Sequence, residues 1–215
     1  MFKGSNVALV TPFKDNKLDE ESYIKLINFH LENGTHGLVP AGTTGESPTL
    51  SHKEHEKVIE LCINEAKGKI PVIAGTGSNS TEEAINLTKH AEKAGADGAL
   101  VVTPYYNKPT QEGLYQHYKA INDNCGIPII VYNIPGRSVI DVSVDTMARM
   151  FELKNIAGVK DATGILERVD QHKNKIGSEF IQLTGEDGLA FEYNKRGGVG
   201  CISDRKSTRL NSSHQ

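Results

Sequence analysis

The sequence predicts an α/β chain whose strand-plus-helix units close into a TIM (β/α)8 barrel, and three observations carry that expectation. Eight short apolar runs alternate with longer amphipathic stretches. The runs are nearly continuous in apolar residues, as strands covered on both faces are. Successive runs end roughly 20 to 33 residues apart, the length of one strand-plus-helix unit. At 215 residues the chain lies at the short end of the barrel's usual size.

The first run, residues 6–10, leads into an amphipathic stretch that stops at Leu31-Glu-Asn-Gly34, where a glycine supplies the left-handed turn after a helix. The second, 37–40, precedes Ser51 and Glu54, whose S-x-x-E spacing is that of a capping box. The third, 71–74, precedes the same pattern at Ser80 and Glu83, in a stretch that stops at Glu92-Lys-Ala-Gly95. The next four runs, 99–102, 128–132, 156–159 and 180–183, continue the alternation, and the eighth spans 199–202. From Asp204 onward the sequence DRKSTRLNSSHQ is polar and shows no helical period. Residues 1–203 are therefore expected to form one barrel domain lacking its last helix, incomplete after strand 8, and 204–215 a non-native or disordered tail.

An open doubly wound sheet is the competing architecture, because alternation does not reveal closure. Its dinucleotide fingerprint is absent: in Gly75-Thr-Gly77-Ser-Asn-Ser80 a serine stands where the third glycine belongs. Nor is GTTGES at 42–47 a P-loop, since Glu46 occupies the place of the lysine.

With 37% hydrophobic and 24% charged residues, the composition is that of a soluble globular protein. A net charge of -3, dispersed along the chain, argues against nucleic acid or an anionic membrane surface and favours a small-molecule substrate. The opening MFKGSNVALVTPFKDN holds an apolar stretch too short for a secretion signal or a spanning helix, which points to the cytoplasm. Cys62, Cys125 and Cys201 are odd in number and lack metal-ligand spacing, so they are expected as buried free thiols.

Three polar signatures sit where apolar runs end: GTTGES at 42–47, YNIPGRS at 132–138 and KDATG at 160–164. Barrel active sites gather at that rim. Lys160 follows the sixth run, where low dielectric would lower its pKa toward a nucleophilic neutral amine; a solvated surface lysine is the plain alternative. Tyr132 ends the fifth run, so its phenol shares the rim and can shuttle protons. Thr43 and Thr44 lie in a glycine-flanked turn whose hydroxyls and N–H groups can converge on a carboxylate. Arg137 can make the bidentate carboxylate contact that a lysine cannot. Together these groups suit an enzyme that binds a keto acid as an imine.

At these motifs, and at VTPYYNKP on 102–109, the sequence strongly resembles the dihydrodipicolinate synthase family, pyruvate-dependent members of the N-acetylneuraminate lyase superfamily of class I aldolases. The likeness runs through about Ser203. It implies a barrel that condenses pyruvate with L-aspartate 4-semialdehyde to 4-hydroxy-tetrahydrodipicolinate, on the route to diaminopimelate and lysine. Lys160 would attack the pyruvate ketone, and Tyr132 would relay protons with Thr44 and with Tyr106, the last reaching in from a neighbouring subunit. Thr43, Thr44, Gly185 and Ile202 would hold the pyruvate end and Arg137 the second carboxylate. No metal or organic cofactor is implied, because the imine nitrogen is the electron sink. The resemblance further implies a homodimer or dimer of dimers, and a feedback site for L-lysine made of His52, His55, Asn79, Glu83 and Tyr105. Family members continue past the eighth run, so this chain is expected to be destabilised and its activity impaired. Two other functions remain in play: an aldolase or lyase for another 2-keto acid, and a catalytically silent barrel.

Overall fold

Each of the eight apolar runs is a strand, with ends displaced by a residue or two. A computed structural model describes residues 2–207. The strands are β1 (Gly4–Ala8), β2 (Gly37–Val39), β3 (Ile73–Gly75), β4 (Gly98–Val102), β5 (Ile129–Asn133), β6 (Ile156–Asp161), β7 (Ile181–Thr184) and β8 (Gly200–Ser203). They alternate with α1 (Glu20–Glu32), α2 (His52–Ala66), α3 (Thr81–Ala94), α4 (Gln111–Asn124), α5 (Val144–Phe151), α6 (Glu167–Ile176) and α7 (Ala190–Arg196). All main-sheet pairings are parallel, running β2-β1-β8-β7-β6-β5-β4-β3. The seam between β2 and β3 is closed by a parallel bridge, Leu38 to Val72, with Leu38 N donating to the Pro71 carbonyl and Gly75 N to that of Pro40, each at 2.9 Å. The sheet is thus a barrel rather than an open doubly wound sheet.

Hydrophobic residues are divided between two layers. Val39, Ile73, Leu100, Ile130, Leu183 and Ile202 fill the barrel interior above Phe2. Outward-facing strand residues such as Val101, Val131 and Val159 pack against helical Leu114, Tyr118 and Met147. Complete burial of such side chains stabilises the fold by about 1.5–3 kcal/mol apiece.

The Ser51–Glu54 capping box is complete, each residue bonding the other's backbone N–H. At Ser80 only half of it forms. Ser80 Oγ accepts from Glu83 N, but the Glu83 carboxylate turns away to Ser78 Oγ and His52. Gly34 and Gly95 take the positive φ expected of helix ends, 64° and 97°.

β6 carries a bulge. Ile129 pairs with Ile156 but Ile130 pairs with Gly158, leaving Ala157 as an extra residue. Ile156 and Val159 both face the helical layer, three positions apart, whereas Ala157 packs on the interior and Lys160 lines the interior cavity. In a regular strand Ile156, Gly158 and Lys160 would share one face. The inserted residue reverses the phase and turns Lys160 inward.

Residues 204–207 depart from the irregular tail expected from the sequence. Arg205, Lys206 and Ser207 form a helical turn, Ser207 N donating to the Asp204 carbonyl at 2.9 Å, and Ser207 Oγ lies 3.1 Å from Nε2 of buried His30. The remainder of that tail, 208–215, lies outside the described residues. Cys62 and Cys125 are buried free thiols; Cys201 is half-buried.

Candidate active site

β6 continues through Asp161, so Lys160 lies within the strand rather than just past it, paired in register with Tyr132 of β5. Its Nζ sits 4.1 Å from the centroid of the Tyr132 ring, and the residue is only 8% exposed. Burial takes the Lys160 amine down to about 8; the carboxylates of Asp204 and Asp187 oppose this and the Arg137 cation assists. Gly185 makes room for the amine. A Cβ there would stand 3.1 Å from Lys160 Cε and 2.9 Å from Ala162 Cβ. Burial lifts the Tyr132 phenol above its usual value, partly offset by the Thr43 hydroxyl and by Arg137.

These side chains share one cavity of about 400 Å³ at the C-terminal rim, lined by Thr43, Thr44, Tyr132, Arg137, Lys160, Gly185 and Ile202 among others. The 42–47 turn is closed by its own bonds, Gly45 N and Ser47 N to the Gly42 carbonyl and Glu46 N to that of Thr43, and is pinned by Thr11 Oγ1 donating to the Gly45 carbonyl at 2.7 Å. The N–H groups of Thr43 and Thr44 are left without a backbone acceptor among the described residues. Thr44 does not meet the Tyr132 hydroxyl as the expected relay would have it. Its Oγ1 donates to Asp204 Oδ2 at 3.2 Å.

Tyr106 is not in this cavity. It is 89% exposed and holds a left-handed φ of 71°, uncommon for a bulky side chain. Asp187 and Asp204, which line the cavity and act on Lys160, were not anticipated; an aspartate three residues past the seventh strand and another immediately past the eighth were the available signal.

A second cavity, of about 390 Å³, shares the wall formed by Thr43, Tyr132 and Arg137 and extends to His52, His55, Glu83 and Tyr105. Asn79 stands apart from that lining, its carbonyl accepting from Asn107 Nδ2 at 3.1 Å. His52 Nε2 lies 2.7 Å from Glu83 Oε1, while the Glu83 carboxyl is held below its usual value chiefly by Ser78 and then by His52. His55 is buried rather than an exposed helix-start residue. Burial brings its pKa down to about 4; the Gly75 backbone opposes this without reaching hydrogen-bond geometry. Among the described residues, no group of three or more His, Cys, Asp or Glu is placed to hold a metal ion, and no helix is long and apolar enough to cross a membrane.

The model of the dihydrodipicolinate synthetase family matches residues 1–209. The chain belongs to this family. Within the dihydrodipicolinate synthetase family, it is 78% identical over 203 residues to the 4-hydroxy-tetrahydrodipicolinate synthase of Pelagibacter ubique, covering 94% of this chain and 69% of that relative. Among solved family members, the 4-hydroxy-tetrahydrodipicolinate synthase of Methylacidiphilum fumariolicum superposes with a TM-score of 0.93 at 45% identity, over 94% of this chain and 68% of the other. The chloride-inhibited, pyruvate-complexed synthase of Acinetobacter baumannii gives 0.92 at 51%, over 94% and 70%. The lysine-bound enzyme of Cyanidioschyzon merolae gives 0.91 at 39%, again over 94% and 70%.

Proposed function

We propose that this chain is a 4-hydroxy-tetrahydrodipicolinate synthase, condensing pyruvate with L-aspartate 4-semialdehyde through an imine on Lys160. The observation that carries this reading is a buried amine with a pKa brought down to about 8, against a tyrosine and beneath a carboxylate-sized turn. At neutral pH about one such amine in ten is unprotonated, against fewer than one in a thousand for an ordinary lysine. The neutral amine adds to the ketone carbon, and Tyr132 passes protons as the carbinolamine loses water. The N–H groups of Thr43 and Thr44 bind the pyruvate carboxylate. Loss of a methyl proton from the protonated imine gives an enamine, the nitrogen taking up the C=N electron pair. The enamine carbon then attacks the aldehyde carbon as nitrogen returns that pair, re-forming the iminium, and the aldehyde oxygen takes the carbonyl pair and a proton. Arg137 receives the carboxylate of the semialdehyde. The 78% identity to the Pelagibacter synthase and the pyruvate complex of the Acinetobacter relative support this substrate pair.

The test is covalent. Incubation with pyruvate, borohydride reduction and peptide mass spectrometry should find the adduct on Lys160; unmodified Lys160 under these conditions removes the proposal.

The cavity beyond Tyr132 is proposed to bind L-lysine as a feedback inhibitor. The Glu83 carboxylate would accept the ammonium group, with His52, His55 and Tyr105 around the rest and Asn79 apart from this lining; Tyr106 would instead serve the proton relay in the active site of a second subunit. The lysine-bound Cyanidioschyzon relative supports this assignment. Millimolar L-lysine should slow condensation, and Glu83→Gln should abolish that effect; inhibition that survives Glu83→Gln removes the assignment.

A further inference from the structure

The segment that carries Arg137 leaves β5 through a four-residue helical turn, Pro135–Ser138, and reaches α5 through an extended stretch. A polar clamp holds it. Asn133, the last residue of β5, donates Nδ2 to Asp141 Oδ1 at 2.8 Å and accepts from Val142 N at 3.2 Å. Arg168 of α6 donates Nη1 to the Val142 carbonyl at 3.0 Å and pairs through Nη2 with Asp141 Oδ2. Gln111, the first residue of α4, donates Nε2 to the Asp141 carbonyl at 2.8 Å. Three elements therefore converge on one loop.

Between Arg137 and this clamp stands Val139, with φ 68° and ψ -25°. A β-branched residue is a genuine outlier there, and such backbone persists only where its surroundings over-determine it. Packing does not supply that constraint, because Val139 is 63% exposed. Hydrogen bonds on either side do: Val139 N donates to the Pro135 carbonyl at 2.9 Å, and Ser138 Oγ lies 3.0 Å from the carbonyls of both Ile134 and Ile140. Arg168 is well shielded, with a side chain 11% exposed, and neither it nor Asp141 lines either cavity.

We propose that Arg168 and Asp141 are positioning residues for the second substrate: they hold the strained 134–142 segment so that Arg137 is aimed into the cavity. The inference rests on the reading of Arg137 as the grip for the semialdehyde carboxylate. Arg168 makes two divergent contacts from one planar fork, which a lysine ammonium cannot reproduce at the same reach. Loss of the clamp frees the loop without touching Lys160 or the threonine turn.

Steady-state kinetics on both substrates, with borohydride trapping alongside, test this. Arg168→Lys should raise the KM for L-aspartate 4-semialdehyde about five- to tenfold, while the pyruvate KM and the trapped-adduct yield stay within about twofold. Arg137→Ala should raise the same KM, and the double variant should be no worse than Arg137→Ala alone, because the clamp then has nothing left to aim. Should Arg168→Lys not fold, the isosteric Asp141→Asn carries the same comparison. If both substrates' constants move together, or the two effects add, the clamp is only structural and the proposal is overturned. If Arg137→Ala leaves the semialdehyde KM alone, the reading of Arg137 falls first and the inference with it.

Discussion

Lys160 and Tyr132 are register partners on adjacent parallel strands, and the lysine nitrogen lies over the face of the phenol ring, 4.1 Å from its centroid. The ring face favours the ammonium form, yet burial outweighs it and leaves the amine near 8. Initial rates of pyruvate trapping should therefore rise with pH and level off above an inflection near 8. A profile still climbing toward 10.5 would mean that the amine is solvated.

Two carboxylates hold that inflection up. Asp204 and Asp187 both favour the charged amine, Asp204 being the stronger. Asp204→Asn should move the inflection below 8 and increase trapping at pH 7. It also weakens the acceptor that takes the Thr44 hydroxyl, freeing that group to turn toward Tyr132. An upward or absent shift contradicts this.

Replacing Lys160 should stabilise the protein. The folded value near 8 lies below the ordinary 10.5, so between these pH values the unfolded chain binds more protons and stability rises with pH. Below pH 8 the full penalty applies, on the order of 3 kcal/mol for a group this buried. Lys160→Met should raise the thermal midpoint at pH 7 by several degrees and abolish the adduct. The gain should shrink above pH 8; a midpoint unchanged at pH 7 would show that burial costs the amine little.

Tyr132→Phe keeps the ring against Lys160 and removes only the hydroxyl. Single-turnover trapping should slow by about 10²–10⁴, the range of a lost acid–base group. Because the thermal midpoint should move little, a melting scan separates this from misfolding; a rate within a few-fold of the parent assigns the proton transfers elsewhere.

Gly158 tests the seam between β6 and β7. A Cβ there would lie 2.1 Å from the Ile181 carbonyl oxygen and 2.6 Å from Ile181 Cβ, so the partner backbone must retreat. Gly158→Ala should cost about 1–3 kcal/mol or more, and lower the thermal midpoint by several degrees. An unchanged midpoint would show that β7 yields freely.

Strand order and the gathering of Lys160, Tyr132, Thr43 and Arg137 at one rim were legible because strands covered by helices are apolar on both faces, and barrel connectivity then dictates which ends meet. What could not be read came from groups that stop an apolar run or meet only in three dimensions. Lys160 and Asp161 are polar, so the run at 156–159 looked finished two residues before β6 ends. Glu83 satisfied a capping pattern in the sequence, but Ser78 and His52 compete for its carboxylate. The Asn133, Asp141 and Arg168 clamp has no local pattern, since its parts come from a strand, a loop and a helix. Small side chains at Ala157 and Gly158 hide the bulge from any test of hydrophobic alternation.

That hidden irregularity means that β6 carries one residue more than its pairing with β5 requires. Removing Ala157 would leave Ile156, Gly158, Val159 and Lys160 opposite the partners they already have, on an unbroken pleat with the Lys160 nitrogen still inside; drawing the full strand, Ala157 included, into a regular pleat would instead turn that nitrogen toward the surrounding helices. A barrel one codon shorter at this point would therefore keep the same buried amine beside Tyr132.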